Sequence, residues 1–253
     1  MPISIDLRGR NAVVTGAGKG IGRAICIELA RAGANVFAIS RTRSDLLSLE
    51  KEVGPLGVRF LSTVADLREF ASIRRSAEQA ESDLGPIDIL VNNAGIAITG
   101  PAEVVSESDW DAVNDSNVKS AFFCAQAFGQ AMLKRGHGRI VNITSQAGVV
   151  GLVDHAAYCA SKAALGMITK VLAIEWGPRG VTVNAIAPTV VLTPLGQRVW
   201  GDPAKGEPML AKIPVGRFGE PEEVAYLVAY LASDMAAMIN GETILLDGGY
   251  SAQ

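Results

Sequence analysis

Cysteine and clustered positive charge are both scarce in this chain, and each scarcity closes off a class of function. Three cysteines, Cys26, Cys124 and Cys159, lie far apart among 253 residues. An odd, scattered set inside apolar segments offers neither a disulfide framework nor a metal site, so all three read as reduced core residues. Lys and Arg number 23 against 26 Asp and Glu, and no basic run is long enough to follow a phosphate backbone or an anionic bilayer, which argues against nucleic-acid binding. The opening residues MPISIDLRGR hold no apolar run of signal-peptide length. Nowhere do about 18 uninterrupted apolar residues occur in a row, so no membrane span and a cytoplasmic location are expected. Repeats, low-complexity tracts and linkers are absent too. Of the two histidines, His137 in Arg135-Gly136-His137-Gly138 reads as an exposed turn residue.

What the chain does have is apolar surface: 49% hydrophobic and 19% charged residues are enough for a sizeable core. Val- and Ile-rich runs at Ala12–Thr15, Asn35–Ser40, Arg59–Val64, Ile87–Val91, Gly138–Ile143, Val181–Ile186 and Thr243–Leu246 are nearly continuous in hydrophobicity, as strands covered on both faces must be. Helical patterns fall between them at Ile21–Ala32, Arg43–Val53, Arg68–Leu84, Trp110–Lys134, Ala156–Trp176 and Pro221–Leu231. The alternation predicts one α/β domain over residues 1–253, a doubly wound parallel sheet of the Rossmann type with helices on both faces. Residues 193–217, with Pro194, Pro203, Pro208 and Pro214, break the rhythm and read as a loop that covers the substrate.

After the first strand comes Thr15-Gly16-Ala17-Gly18-Lys19-Gly20-Ile21-Gly22, directly before a helix. Such a turn lets backbone approach a pyrophosphate while the helix N-terminus supplies free N–H groups. Its spacing is TGxxxGxG rather than GxGxxG. At the end of the second strand, where an Asp or Glu would accept a ribose 2′-hydroxyl, stand Ser40-Arg41-Thr42. A guanidinium beside a hydroxyl suits a 2′-phosphate, and Lys19 adds a second positive charge, so NADP(H) is favoured over NAD(H). Asp66-Leu67 and Asn92-Asn93-Ala94-Gly95 follow the third and fourth strands; taken alone, Asp66 reads as a helix N-cap. Tyr158 and Lys162, spaced i and i+4, share one helix face. A fixed cation nearby favours the phenolate and is expected to lower the phenol's pKa, fitting it for proton transfer. Ser145 can donate to an oxygen on which charge builds, and Asn117 lies within a long helix in an otherwise apolar stretch, where a buried amide needs partners.

TGxxxGxG, NNAG, Asn117, Ser145 and YxxxK in this order resemble the short-chain dehydrogenase/reductase family over nearly the whole chain. The resemblance implies a catalytic set of Asn117, Ser145, Tyr158 and Lys162, with Asn117 holding a water that links Lys162 to solvent. It also implies a dinucleotide held by Gly16, Gly18, Lys19, Gly20, Ile21, Gly22, Ser40, Arg41, Thr42, Asp66, Leu67, Asn93, Ala94 and Gly95. Tyr158, Lys162, Pro188, Val191 and Thr193 join them at the nicotinamide end. Thr189 departs from the family's more usual Pro-Gly and, with Gln146, His155 and Trp200, is similar to the L-xylulose reductase (dicarbonyl reductase) branch. There Ser145, Gln146, Leu152, His155, Tyr158 and Trp200 would line a pocket for a small polyoxygenated carbonyl or alcohol. The family also implies a homotetramer built on the helices Trp110–Lys134 and Ala156–Trp176 and the C-terminal region. Reduction of 3-ketoacyl thioesters or bulky ketones, an NAD-dependent polyol dehydrogenase, and an NADP-sensing scaffold are the alternatives.

Overall fold

In the computed structural model, which describes residues 4–252, seven strands form one parallel sheet: β1 (Asn11–Thr15), β2 (Asn35–Ser40), β3 (Phe60–Val64), β4 (Ile89–Asn92), β5 (Gly138–Ile143), β6 (Val181–Pro188) and β7 (Thr243–Leu246). Of the domain expected over 1–253, residues 1–3 and 253 lie outside the described residues. The spatial order is β3-β2-β1-β4-β5-β6-β7. The chain therefore winds outward from β1 in one direction, returns, and winds outward from β4 in the other. Where the direction changes, between β1 and β4, the C-terminal strand ends leave a crevice in which ligands bind in folds of this kind.

The near-continuous apolar strands are explained by two cores, one per face. Ala12, Val14, Val36, Ala38, Ile89 and Val91 pack with helices α1 (Gly20–Arg31), α2 (Arg43–Val53) and α9 (Pro221–Ala232). Their sequence neighbours Val13, Phe37, Ile39 and Leu90 point to the other face. They meet α3 (Phe70–Leu84), α5 (Ser120–Arg135) and α6 (Ala156–Trp176). Successive side chains alternate across a strand, so a strand buried on both sides has no polar position to spare.

The expected helix Trp110–Lys134 runs without a break from Glu107 to Arg135, as α4 (Glu107–Asn114), a π-helical turn at Asp115–Lys119 that the sequence did not suggest, and α5. The stretch 193–217 is not one loop either. It contains α7 (Pro194–Trp200) and α8 (Pro203–Leu210), whose caps Thr193 and Asp202 accept hydrogen bonds from Gly196 N and Ala204 N. Each helix begins on a proline, where the missing N–H costs nothing.

By length and composition, among the described residues the helix Ala156–Arg179 is apolar enough to cross a membrane. It is packed along β6 and α5. A chain of buried polar bonds fixes it there: Asn92 Nδ2 donates to Asn142 Oδ1 (2.9 Å), Asn142 Nδ2 to Thr169 Oγ1 (2.9 Å), and Thr169 Oγ1 to Leu165 O (2.9 Å). Cys26 and Cys124 are buried as expected, whereas Cys159 is half-buried. His137 is no exposed turn residue: it is half-buried with its Nε2 2.7 Å from Arg10 Nη1.

Candidate active site

The glycine turn between β1 and α1 is shaped by close contacts. Gly16 has φ +64°, and a Cβ on Gly22 would stand 2.3 Å from Gly16 O and 2.4 Å from Asn93 Nδ2. Only glycine lets α1 start so near the strand end. Asn93 ties the turn to β4: its side-chain Nδ2 donates to Thr15 O (2.9 Å) and Gly16 O (3.2 Å), while Asn93 N and Ala94 N each donate to Thr15 Oγ1 at 3.0 Å. From this turn a cavity of about 560 Å³ runs over the C-terminal strand ends to the start of α6.

The cavity is lined by Gly16, Gly18, Lys19, Gly20 and Ile21, by Ser40-Arg41-Thr42, Asp66, Leu67, and by Asn93-Ala94-Gly95. Further along come Pro188, Val191, Thr193, Ser145, Gln146, Leu152, His155, Tyr158, Lys162 and Trp200. Gly22 and Asn117 stand behind the wall. Asp66 caps no helix, since the cap position of α3 is Glu69. It pairs with Arg68 instead (Nε to Oδ1, 3.0 Å), and that hydrogen bond, with the more distant Arg41 as a lesser influence, holds its carboxyl below the usual range.

At the far end, Ser145 follows β5 and Tyr158 and Lys162 lie on the first turns of α6. Lys162 is 5% exposed, donates from Nζ to Ile143 O (2.9 Å), and has Nζ 5.7 Å from the Tyr158 ring centroid. Burial pushes the ammonium down to about 8. The Tyr158 phenol moves the other way from the sequence expectation. Desolvation raises it, a hydrogen bond with Ser145 lowers it by less, and the net direction is up. With its own value down at about 8, the ammonium gives up its charge before the phenol titrates and so does little to acidify it.

Asn117 lies in the π-helical turn, fully buried. Its Oδ1 accepts from Ile96 N (2.8 Å) and its Nδ2 donates to Ile96 O (2.9 Å) and Ser161 Oγ (3.0 Å). The side chain is thus spent on clamping the loop after β4 to α6.

The substrate end is walled by His155, which stacks on Trp200 of α7 (centroids 6.3 Å, planes 10° apart) and meets Tyr158 edge-on at 6.2 Å. His155 Nδ1 lies 2.6 Å from Val153 O. A carbonyl only accepts, so Nδ1 carries the hydrogen of this bond, and Nε2 is the ring atom left to meet other groups. Asp154, with φ +64°, turns the chain immediately before it. Gln146 is 2% exposed, and among the described residues nothing bonds its amide. Sequence reading missed Asp45 and Thr189 as lining residues. Asp45 carries no reading in the sequence, and Thr189 reads there only as a departure from Pro-Gly.

The glycine cradle, the basic groups near Ser40 and the cavity's reach to Tyr158 fit a nicotinamide dinucleotide. Fold and site together define an oxidoreductase of the dinucleotide-binding α/β class. A family model described as enoyl-(acyl carrier protein) reductase matches residues 16–251. The chain is 44% identical to a D-threitol dehydrogenase of Mycolicibacterium smegmatis (99% of this chain, 97% of that one) and 43% identical to an L-xylulose reductase of Bos taurus (99% and 100%). It is 42% identical to an NAD-dependent glycerol dehydrogenase of Listeria innocua (97% and 95%). A solved gluconate 5-dehydrogenase of Burkholderia cenocepacia, in complex with NADP and tartrate, superposes with TM-score 0.94 at 34% identity over 98% of each chain. The chain belongs to the short-chain dehydrogenase/reductase family, oxidoreductases of alcohol and carbonyl groups.

Proposed function

We propose that the protein is an NADP(H)-dependent reductase of keto-sugars and related small polyoxygenated carbonyls, working in reverse as a polyol dehydrogenase. The observation that carries the substrate class is Gln146, which lines the cavity together with His155 and is buried with its amide unbonded among the described residues. A wall polar at two places favours ketoses and polyols, whose hydroxyls both donate and accept, over an α-dicarbonyl, which can only accept. The unbonded Gln146 amide supplies both a donor and an acceptor for further hydroxyls. Relatives named for threitol, xylulose and glycerol support the same reading.

Reduction adds a hydride to the carbonyl carbon and a proton to its oxygen, and the bound dinucleotide supplies the hydride. Tyr158 donates the proton, Ser145 holds the oxygen as charge builds on it, and Lys162 keeps a positive charge beside the resulting phenolate. Desolvation of Tyr158 keeps it protonated between turnovers, which suits an acid. Asn117 is a positioning residue, through Ile96 and Ser161. Arg41 and Lys19 favour a 2′-phosphate. Assembly belongs to the same proposal. Met167 and Val171, exposed on α6, line with Phe122, Ala164 and Ile168 an apolar groove of about 310 Å³ that supports packing against a second copy in a homotetramer.

Turnover with xylulose, erythrulose, diacetyl, an acetoacetyl thioester and an aryl ketone, under NADPH and NADH, tests the reading. Ketoses are expected to give the highest kcat/KM. Tyr158→Phe should still bind dinucleotide while losing about two or more powers of ten in kcat. A preference for the thioester or the aryl ketone would sink the substrate class, and a fully active Tyr158→Phe would sink the mechanism.

A further inference from the structure

The end of the cavity near Ser40 holds one charged group that the cofactor argument leaves unused. Asp45 lies in the first turn of α2, where a carboxylate ordinarily serves the helix N-terminus. Here its side chain, 19% exposed, turns back over the glycine turn, with Oδ2 3.3 Å from Lys19 Nζ. A Cβ added to Gly18 would stand 2.9 Å from Asp45 Cβ and 2.8 Å from Ser40 Oγ. The carboxylate, the Ser40 hydroxyl and the bare Gly18 backbone therefore form one continuous floor.

The charges at this floor do not add up to a dedicated 2′-phosphate site. Lys19 and Arg41 contribute two positive charges and Asp45 removes one, while Arg23, whose Nη1 donates to Gly18 O (3.3 Å) and Asp45 O (3.4 Å), is answered by Glu52 (2.6 Å). Asp66 is already answered by Arg68 (Oδ2 to Nη2, 2.5 Å). One net positive charge thus faces a phosphate monoester carrying about −1.5 to −2 at neutral pH. Conversely, β2 ends on Ser40 instead of an acid, yet Asp45 restores from α2 a carboxylate of the kind that accepts a ribose 2′-hydroxyl.

We infer that Asp45 is a specificity-determining residue that opposes Arg41: it accepts the ribose 2′-hydroxyl of NAD(H), resists the 2′-phosphate of NADP(H), and so leaves the site open to both cofactors. Lys19 is its counter-ion, held by Asp45 when the 2′ position bears a hydroxyl and drawn off it by a phosphate. The inference rests on the dinucleotide site proposed above but not on which cofactor wins.

Calorimetric titration of the full chain with adenosine 2′,5′-bisphosphate and with 5′-AMP tests it without turnover. In Asp45→Asn the bisphosphate should bind about fivefold or more tighter relative to 5′-AMP than in wild type, from loss of a like charge a few ångströms away. Asp45→Ser, which keeps a good residue for a helix first turn, should shift the same ratio in the same direction and serves if the first variant folds poorly. An unchanged ratio, or one moved toward 5′-AMP, overturns the role of Asp45. Tighter binding of 5′-AMP than of the bisphosphate by wild type would instead overturn the preference for NADP(H), leaving the effect of Asp45 to be read from the ratio.

Discussion

Lys162 shows how a single functional residue is held at an energetic disadvantage. Its ammonium is buried and its folded-state value falls from the ordinary 10.5 to about 8. Below about 8 the lysine is charged in both folded and unfolded chains, and the burial penalty is fully present. Between 8 and 10.5 the unfolded chain keeps a proton that the folded one has released, so this contribution to stability rises with pH. Urea unfolding of the unliganded protein at pH 7 and 9.5, set against Lys162→Met, should show wild type gaining on the order of 2 kcal/mol relative to the variant. A gap that does not change with pH would mean that Lys162 is not desolvated as described. Tyr158 is present in both proteins, so its own raised value cancels. The opposite directions of these neighbours were not legible in the sequence. YxxxK spacing reports that two groups share a helix face, while their burial depends on β5 and the loop after β4, which arrive from elsewhere in the chain.

At the scale of elements, the turn from β1 into α1 depends on one missing methyl group more than on its neighbours. Gly22→Ala places a Cβ against Gly16 O and Asn93 Nδ2, and overpacking of that kind costs about 1–3 kcal/mol. Thermal melting should show that loss together with abolished dinucleotide binding, whereas Gly100→Ala, with nothing within 4 Å of the added atom, should leave both unchanged. Retained binding by Gly22→Ala would show that the turn tolerates displacement. Elements governed by local pattern were legible: β5, β7, α2 and α6 have the boundaries that periodicity and punctuation predict. Two failures have local causes as well. Prolines in 193–217 suggest a loop, but Thr193 and Asp202 cap helices whose first residues are Pro194 and Pro203, positions that favour proline. Continuous apolar patterning at 110–134 hides the π-helical turn, because one extra residue in a turn leaves no mark on composition. Of the site, the glycine turn, Ser145, Tyr158 and Lys162 were all legible. That Asn117 stands behind the cavity wall, bonded to Ile96 and Ser161, was not, since a buried amide announces a need for partners without naming them.

For the whole molecule, the exposed apolar residues of α6 are the counterpart of its buried polar ones. Met167, Val171 and Ile174 are 59, 45 and 76% exposed on the helix that carries Tyr158 and Lys162. Val171→Asp puts a charge in the groove that Met167 and Val171 border. Size-exclusion chromatography with light scattering should find wild type as a tetramer and the variant at lower mass; a monomeric wild type would remove this face from the assembly. The other side of α6 has a different consequence. Asn92, Asn142 and Thr169 lock the helix to the sheet through bonds of fixed length and direction, as a key in its keyway stops a shaft from turning. Apolar packing by itself would let a helix roll by several degrees for little energy. With the key in place, the compass bearing of the phenol and the ammonium is decided by two amides and a hydroxyl that never touch the cavity.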